Sequence, residues 1–459
     1  MMGTTNITTR RTLPSPTETW QATFDQLVAA LMDQLQPPEA LKLSLVGEQS
    51  QFVRFNRAKV RQSGWVNDGE LTLTLMIDQR NGYCTIPFTG TWEVDWPEAI
   101  QALTDLRQEV PHLPIDPYLV LPTGQATSQE NHQGALLPIE ATTDAILPAV
   151  DGLDFTGIYA GGSQLRAYAD SAGQKHWFAT DSFSLDYSLF TTTGQAVKGT
   201  FAGNHWDQAA YLARLQDSKQ QFDRMSQPAK PIPKGQYRTY LAPAAVAELV
   251  AMLSWGGVSE AALQRGGSAL GLLQRGEKVL SPRFTLTEDF RRGLVPRFNE
   301  WGEIAPPALP LIVAGQLKNT LISSRSAKEY GKVANGAAGG ESLRSPEIAP
   351  GDLAPDQVLR QLDTGLYLSN LHYLNWSDRP TGRITGMTRY ACFWVEQGEI
   401  VAPIENLRFD ESLYQFWGDR LIALTQTQDY VPEVGTYGHR SLGGVYVPGI
   451  LVENFTYTL

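Results

Sequence analysis

The chain has 459 residues, 48 acidic against 37 basic side chains, a net charge of −11 and two cysteines. That length exceeds what one hydrophobic core usually serves and points to two or three domains. An acidic chain with scattered Lys and Arg lacks the footprint of a nucleic-acid binder, so no direct nucleic-acid contact is expected.

The two cysteines, Cys84 and Cys392, are far apart, which excludes a thiolate zinc site and suits a reducing cytoplasm. No apolar run spans a bilayer and no secretory leader is evident, so a cytoplasmic protein without membrane contact is expected.

Residues 1–17 are polar and punctuated by proline, as in a disordered tail. From Glu18 to Leu35, the residues Trp20, Phe24, Leu27, Leu31 and Leu35 share one helical face, and Pro37 and Pro38 end the helix. Alternating runs follow at Leu41–Glu48, Gln51–Val60, Gln62–Asn67, Glu70–Ile77 and Tyr83–Phe88. Asn67-Asp68-Gly69 and Asn81-Gly82 read as tight turns, which gives an antiparallel meander. Pro97–Val110 is a helix, and Leu113–Gly152 is Pro-rich and loop-like. Phe155–Tyr168 and Lys175–Thr192 are strands, with turns at Gly161-Gly162 and Ala172-Gly173, and Trp206–Met225 is a long surface helix. Residues 226–236, SQPAKPIPKGQ, have linker composition.

Beyond the linker, Leu241–Trp255 reads LAPAAVAELVAMLSW. Val246, Leu249, Val250 and Leu253 fall on one face, and Gly256 and Gly257 stop the helix. Its only ionisable side chain is Glu248, and it has no histidine. Ala261–Leu273 reads as a second helix and Leu317–Ile322 as a strand. Strands then dominate, at Leu366–Leu374, Gly386–Glu396, Glu399–Phe409 and Val445–Leu459. The expected fold is α+β. An N-terminal α/β domain with an antiparallel meander sheet (18–225) is joined by the linker to a C-terminal mixed domain rich in antiparallel β (237–459).

The six histidines, His112, His132, His176, His205, His372 and His439, include no pair at helical metal-binding spacing. Gly271–Lys278, GLLQRGEK, approaches a phosphate loop, but Glu277 stands where a lysine is needed. Gly266–Leu270 lacks the second glycine of a nucleophile elbow. Ser323, Ser324 and Ser326 with Arg325 and Lys328 form a polar cluster that admits a Ser–Lys arrangement. Glu288, Asp289, Glu300 and Glu303 bracket Arg291, Arg292 and Arg297, a pattern typical of a salt-bridged turn. No catalytic, cofactor-binding or metal-ligating residue is assigned in this chain.

Several stretches in succession resemble the TldD/PmbA family, whose PmbA members are also called TldE. They are VRFNRAKVRQSGWVNDGELTLTLMIDQRNGYCTI, LAPAAVAELVAMLSWGG, VLSPRFTLTEDF, LIVAGQLKNTLISSRSAKEYGK and TGRITGMTRYACFWVEQGEIVAPIENLRF. The resemblance runs from about Leu41 to Leu424. FNEWGEI, Phe298–Ile304, stands in place of the family's Asp-rich DDEG element.

The resemblance implies that TldD-type members are zinc peptidases carrying His-Glu-x-x-x-His on the helix opening the second domain, with a cysteine ligand downstream. TldE-type members keep the fold without those ligands and assemble with a TldD-type partner. In this chain the corresponding helix is Leu241–Trp255, and nothing of the metal site carries over, Cys392 included. The expectation is a non-catalytic TldE/PmbA-like subunit of a peptidase acting on unfolded or extended peptides. It would form a dimer or higher oligomer, with no cofactor of its own and zinc in the partner. The alternatives are a self-sufficient hydrolase with a dispersed site, and a regulatory peptide binder of the kind the family label "modulator of DNA gyrase" suggests.

Overall fold

The structure, a computed structural model, describes residues 16–459. The expected tail therefore falls outside the described residues up to position 15, while Pro16 and Thr17 already belong to the first helix. Helix α1, Pro16–Met32, opens on a proline, whose missing N–H has no helical partner to lose in the first turn.

The first lobe is built on very long strands: β1 (Ala40–Asn56), β2 (Lys59–Ile77), β3 (Arg80–Pro87), β4 (Thr127–His132), β5 (Asp154–Asp170), β6 (Lys175–Phe190) and β7 (Ala196–Gly203). Their order is β3-β2-β1-β5-β6-β4, with β7 on the remaining length of β6. The first three strands form the expected meander, but β4 runs parallel to β6 within a segment that reads as loop. Helix α2 (Trp92–Glu109) and α1 cover one end of one sheet face. Trp20, Phe24, Leu27 and Leu31 pack there on Leu41, Leu43 and Leu45 of β1 and Leu71, Leu73 and Leu75 of β2. Helices α3 (Ile139–Ile146) and α4 (Gln208–Met225) cover the other end.

Three expected turns are strand interior: Asn67-Asp68-Gly69 in β2, Asn81-Gly82 in β3 and Gly161-Gly162 in β5. Gly69 sits in β2 directly opposite Gly47 of β1. A Cβ on Gly69 would stand 2.6 Å from the Phe88 carbonyl and 2.8 Å from the Trp20 ring, and one on Gly47 would stand 2.5 Å from the same ring. These glycines form a notch for the indole, so close approach and not chain reversal explains them. Gly161 and Gly162 likewise lie within β5. The hairpin reversals are Arg57-Ala58 (φ 52° and 51°) and Asp78-Gln79 (φ 49° and 60°). Both residues of each pair have positive φ, as the two-residue turns that match strand twist require.

Residues 226–234 connect the lobes along the surface of the second, where the Lys230 N–H donates to the Pro403 carbonyl. The second lobe holds β8 (Gly235–Leu241), β9 (Leu286–Asp289), β10 (Ala308–Val313), β11 (Gln316–Leu317), β12 (Pro346–Ile348), β13 (Gly365–Asp378), β14 (Arg383–Glu396), β15 (Glu399–Pro403), β16 (Arg408–Ser412), β17 (Leu421–Pro432) and β18 (Gly444–Tyr457). Strand β8 pairs with β13 on one side and β18 on the other, so the path β18-β16-β14-β13-β8 closes on itself. Pairing is mostly antiparallel, and the whole is the expected α+β fold.

The run Leu241–Trp255 divides into the last residue of β8, helix α5 (Pro243–Ala251) and a 3-10 turn (Met252–Ser254). Ala245, Val246, Leu249, Val250 and Leu253 are buried in the main core of this lobe. The expected second helix is instead two short ones, α6 (Glu260–Gln264) and α7 (Gly271–Gln274). Helix α8 is Ser324–Tyr330 and α9 is Val358–Leu362. The run expected as one strand from Glu399 to Phe409 is interrupted between β15 and β16, and Leu317–Ile322 is strand only at its first residue. No helix among the described residues is long and apolar enough to cross a membrane.

Candidate functional site

Helix α5 buries one face and leaves a stripe open: Ala244 is half-buried, while Glu248, Ala251 and Trp255 are exposed. The start of the helix, Ala242, Pro243 and Ala244, lines a cleft of about 450 Å3 between the lobes. The first lobe contributes Lys198 and Thr200 of β7 with Arg214 and Asp217 of α4. The second contributes Tyr240, Tyr367, Asn370, Asp429 and Tyr430. Over Gln428–Pro432, β17 pairs with β18 on one side only, and Asp429, Tyr430 and Val431 face the cleft. The cleft thus presents main-chain groups of a sheet edge between polar and aromatic walls. Such a surface can take an extended chain backbone to backbone.

Glu248 reaches solvent, yet desolvation by the surrounding walls raises its pKa. Nearby Glu433 acts in the same direction and Lys198 opposes.

Two further contacts hold the lobes at this relative position. The stretch ending at β18 places Arg440 on the polar face of the first sheet, where it is buried. Its guanidinium donates to Ser50 Oγ at 3.2 Å, Gly162 O at 3.3 Å and Ser182 O at 3.0 Å, and its N–H donates to Glu48 at 2.6 Å. The segment Phe298–Ile304 folds around Asn299, whose Oδ1 accepts from the N–H groups of Trp301 and Glu303. It lays Trp301 over Lys42, with Nζ 3.1 Å from the ring centroid. Burial pushes the Lys42 amine down to about 7, against the pull of Glu303 and Asp170.

The residues singled out in the sequence take structural places. Ser323 caps α8 and bonds to the buried Glu341 through both Oγ (3.0 Å) and N–H (2.9 Å), while Lys328 Nζ donates to the Leu119 carbonyl at 2.8 Å. Serine and lysine are therefore spoken for by different partners, and the Ser–Lys arrangement is not formed. Ser268 is buried against the Gly257 carbonyl at 2.6 Å. Glu277 pairs with Arg275 beside α7, so no phosphate cradle forms there. Cys392 is buried and hydrogen-bonded to Arg389 O, and burial pushes its thiol up to about 11, the state of an inert core thiol. Asp289 pairs with Arg291, as a salt-bridged turn requires.

Glu288, by contrast, is fully enclosed. It accepts the N–H groups of Arg344 (3.0 Å) and Ser345 (3.1 Å), but burial still pushes its carboxyl up to about 7. A carboxyl with a raised folded-state value holds its proton more tightly folded than unfolded. Its stabilising contribution is present below about pH 4.5 and is lost as pH rises towards 7. Glu288→Gln keeps an acceptor without the charge. Urea denaturation at about pH 5 and about pH 8 should show the variant losing less stability than the parent over that interval, by on the order of 2–3 kcal/mol.

The zinc ion of TldD-type chains does not fit this helix. A peptidase zinc takes three protein donors, typically imidazole or carboxylate with an open fourth position. Among the described residues α5 lines the cleft with Pro243 and Ala244 alone, and its one carboxylate, Glu248, lies further along the exposed stripe. No histidine or cysteine lines the cleft, and among the described residues no group of three His, Cys, Asp or Glu side chains stands close enough to hold an ion.

Comparison with known proteins places these features. The sequence profile of the PmbA/TldA metallopeptidase C-terminal domain matches residues 234–459. Metalloprotease PmbA of Escherichia coli O157:H7 is 33% identical over 109 residues, a match spanning 23% of this chain and 23% of that protein. Among solved structures, TldE from Thermococcus kodakarensis superposes with a TM-score of 0.76 at 13% identity, covering 95% of this chain and all of the other. A Thermotoga maritima protein described as a candidate modulator of a DNA gyrase gives 0.73 at 14% identity, covering 96% of this chain and 100% of that one. A similarly described Bacteroides thetaiotaomicron protein gives 0.74 at 15%, with coverages of 95% and 98%. At these identities the structural matches establish the shared fold.

Proposed function

By residues 234–459 this chain belongs to the TldD/PmbA family, and from that premise we propose that it is a TldE/PmbA-type subunit that grips peptide while a TldD-type partner supplies zinc and hydrolysis. The observation that carries this reading is helix α5. Where the family's peptidase helix is armed with imidazoles, this one presents Ala244, Glu248, Ala251 and Trp255 to the open side and aliphatic residues to the core. Hydrocarbon has no lone pair for a metal, and Glu248, with Glu433 and Lys198 nearby, belongs to no group of three donors that could hold an ion among the described residues.

What the chain does offer is a cleft. An extended peptide would add along the open side of β17 near Asp429–Val431, so capture would depend on main-chain bonds and tolerate many sequences. Folded proteins have few free strands to donate, so the preferred substrate is an unfolded or extended peptide.

Co-expression with a chain bearing His-Glu-x-x-x-His is the test. The two should co-purify, and the mixture should cleave an unstructured peptide that neither chain cleaves at a comparable rate alone. Full activity of the isolated chain would end this reading.

A further inference from the structure

On the same sheet face that receives Arg440, β5 carries Arg166 opposite Val46 of β1. Among the described residues its guanidinium makes one hydrogen bond, Nη1 to the Leu165 carbonyl at 2.7 Å, and no carboxylate lies at ion-pair distance. Its natural cross-strand diagonal partner is Glu48, but that carboxylate is occupied by the Arg440 N–H. The remaining guanidinium donors are not sealed in the core, because Arg166 lines a cavity of about 370 Å3 between the lobes.

The cavity is a slot with an apolar side formed by Val46, Ala167, Pro296, Phe298 and Leu343. Ser44, Asn299, Glu300 and Arg344 also line it, the Glu300 carboxylate accepting the Gly339 N–H and the Arg344 guanidinium donating to main-chain carbonyls such as Phe298 O. Burial lowers the Arg166 pKa to about 10, with Glu48 opposing at a distance, so the charge is poorly compensated where it stands. A largely buried guanidinium with free donors above apolar walls is complementary to a carboxylate attached to a short hydrocarbon.

We propose that this slot binds the terminal carboxylate of a peptide ending in an apolar residue, with Arg166 taking the two oxygens and the slot taking the side chain. The assignment of a peptide ligand rests on the function proposed above, whereas the carboxylate recognition is a property of this chain alone.

Titration calorimetry on the full, partner-free chain separates the two. N-acetyl-leucine should bind. N-acetyl-leucinamide, which has the same shape without the charge, should bind about tenfold more weakly or not at all. Arg166→Met should reduce acid binding to the level of the amide, and Arg166→Lys should fall between, since an ammonium keeps the charge and loses the fork. Equal affinity for acid and amide in the parent chain overturns the proposal whether or not a variant folds. So does undiminished acid binding by a folded Arg166→Met, or no binding of the acid at about 10 mM. Failure here would leave co-purification with a zinc-bearing partner untouched.

Discussion

Glu341→Ala is expected to lower stability by about 3–5 kcal/mol, since several buried donors lose a charged acceptor at once. The carboxylate is buried and accepts four hydrogen bonds from two elements. Ser259 Oγ (2.6 Å) and the Ala261 N–H (2.9 Å) bind one oxygen, and the Ser323 N–H (2.9 Å) and Oγ (3.0 Å) bind the other. Ser259 and Ser323 are the N-caps of α6 and α8, so one carboxylate joins the starts of two helices separated by some sixty residues of chain. Truncation leaves buried donors with no acceptor and no room for bulk water, which is the costly way to lose a hydrogen bond. Glu341→Gln keeps one carbonyl oxygen and should lose about half as much. Ser323→Ala, which removes a single cap, should cost about 1 kcal/mol. Urea denaturation of the three variants checks the order. A loss below about 1 kcal/mol for Glu341→Ala would mean that the clamp does not bind the two helices together.

That clamp could not be read from the sequence. Glu341 follows a stretch of Gly and Ala, and its partners lie far away in the chain, so neither periodicity nor spacing marks it. The elements that were legible are those with long apolar repeats. Helices α1, α2 and α4 lie within a few residues of their expected spans, and the buried face of α5 is the expected one.

Glycine misled in both directions. Gly69 and Gly161-Gly162 punctuate alternating runs and suggest reversals, but they lie inside strands, the first to admit Trp20 and Gly162 because a side chain would strike the Gln49 carbonyl. The real reversals, Arg57-Ala58 and Asp78-Gln79, contain no glycine and only one residue, Asp78, that favours turns; they are held in positive φ by the pairing of the strands on either side. Strand β4 escaped notice because TSQENH is polar on both faces, its place set by parallel bonds to β6 and not by burial. Lys42, Arg166 and Arg440 were hidden for a related reason. The polar face of a half-buried strand normally meets water, and here it meets the other lobe.

The second large effect concerns metal and is all-or-none. Zinc holds a peptidase site together only through donors converging within about 2.0–2.3 Å of the ion. In this chain the helix that would supply two of them supplies alanine, valine and leucine. Cys392, the cysteine of the second lobe, is buried with its thiol pushed up to about 11, so deprotonation for a metal would be resisted by its surroundings. His176 is in the first lobe, stacked on Phe298, and His372 lies in the second, its ring tilted 45° against Tyr373, so these imidazoles are far apart as well.

Under the proposed function the chain would contribute surface and orientation to a peptidase and take its Lewis acid from the partner. The direct measurement is the zinc content of the purified chain, freed of any partner and dialysed against trace zinc. The account predicts far less than one ion per chain, with hydrolysis of an unstructured peptide appearing only when a zinc-bearing partner is added. One tightly held zinc per chain, removed by chelation together with peptidase activity, would contradict it.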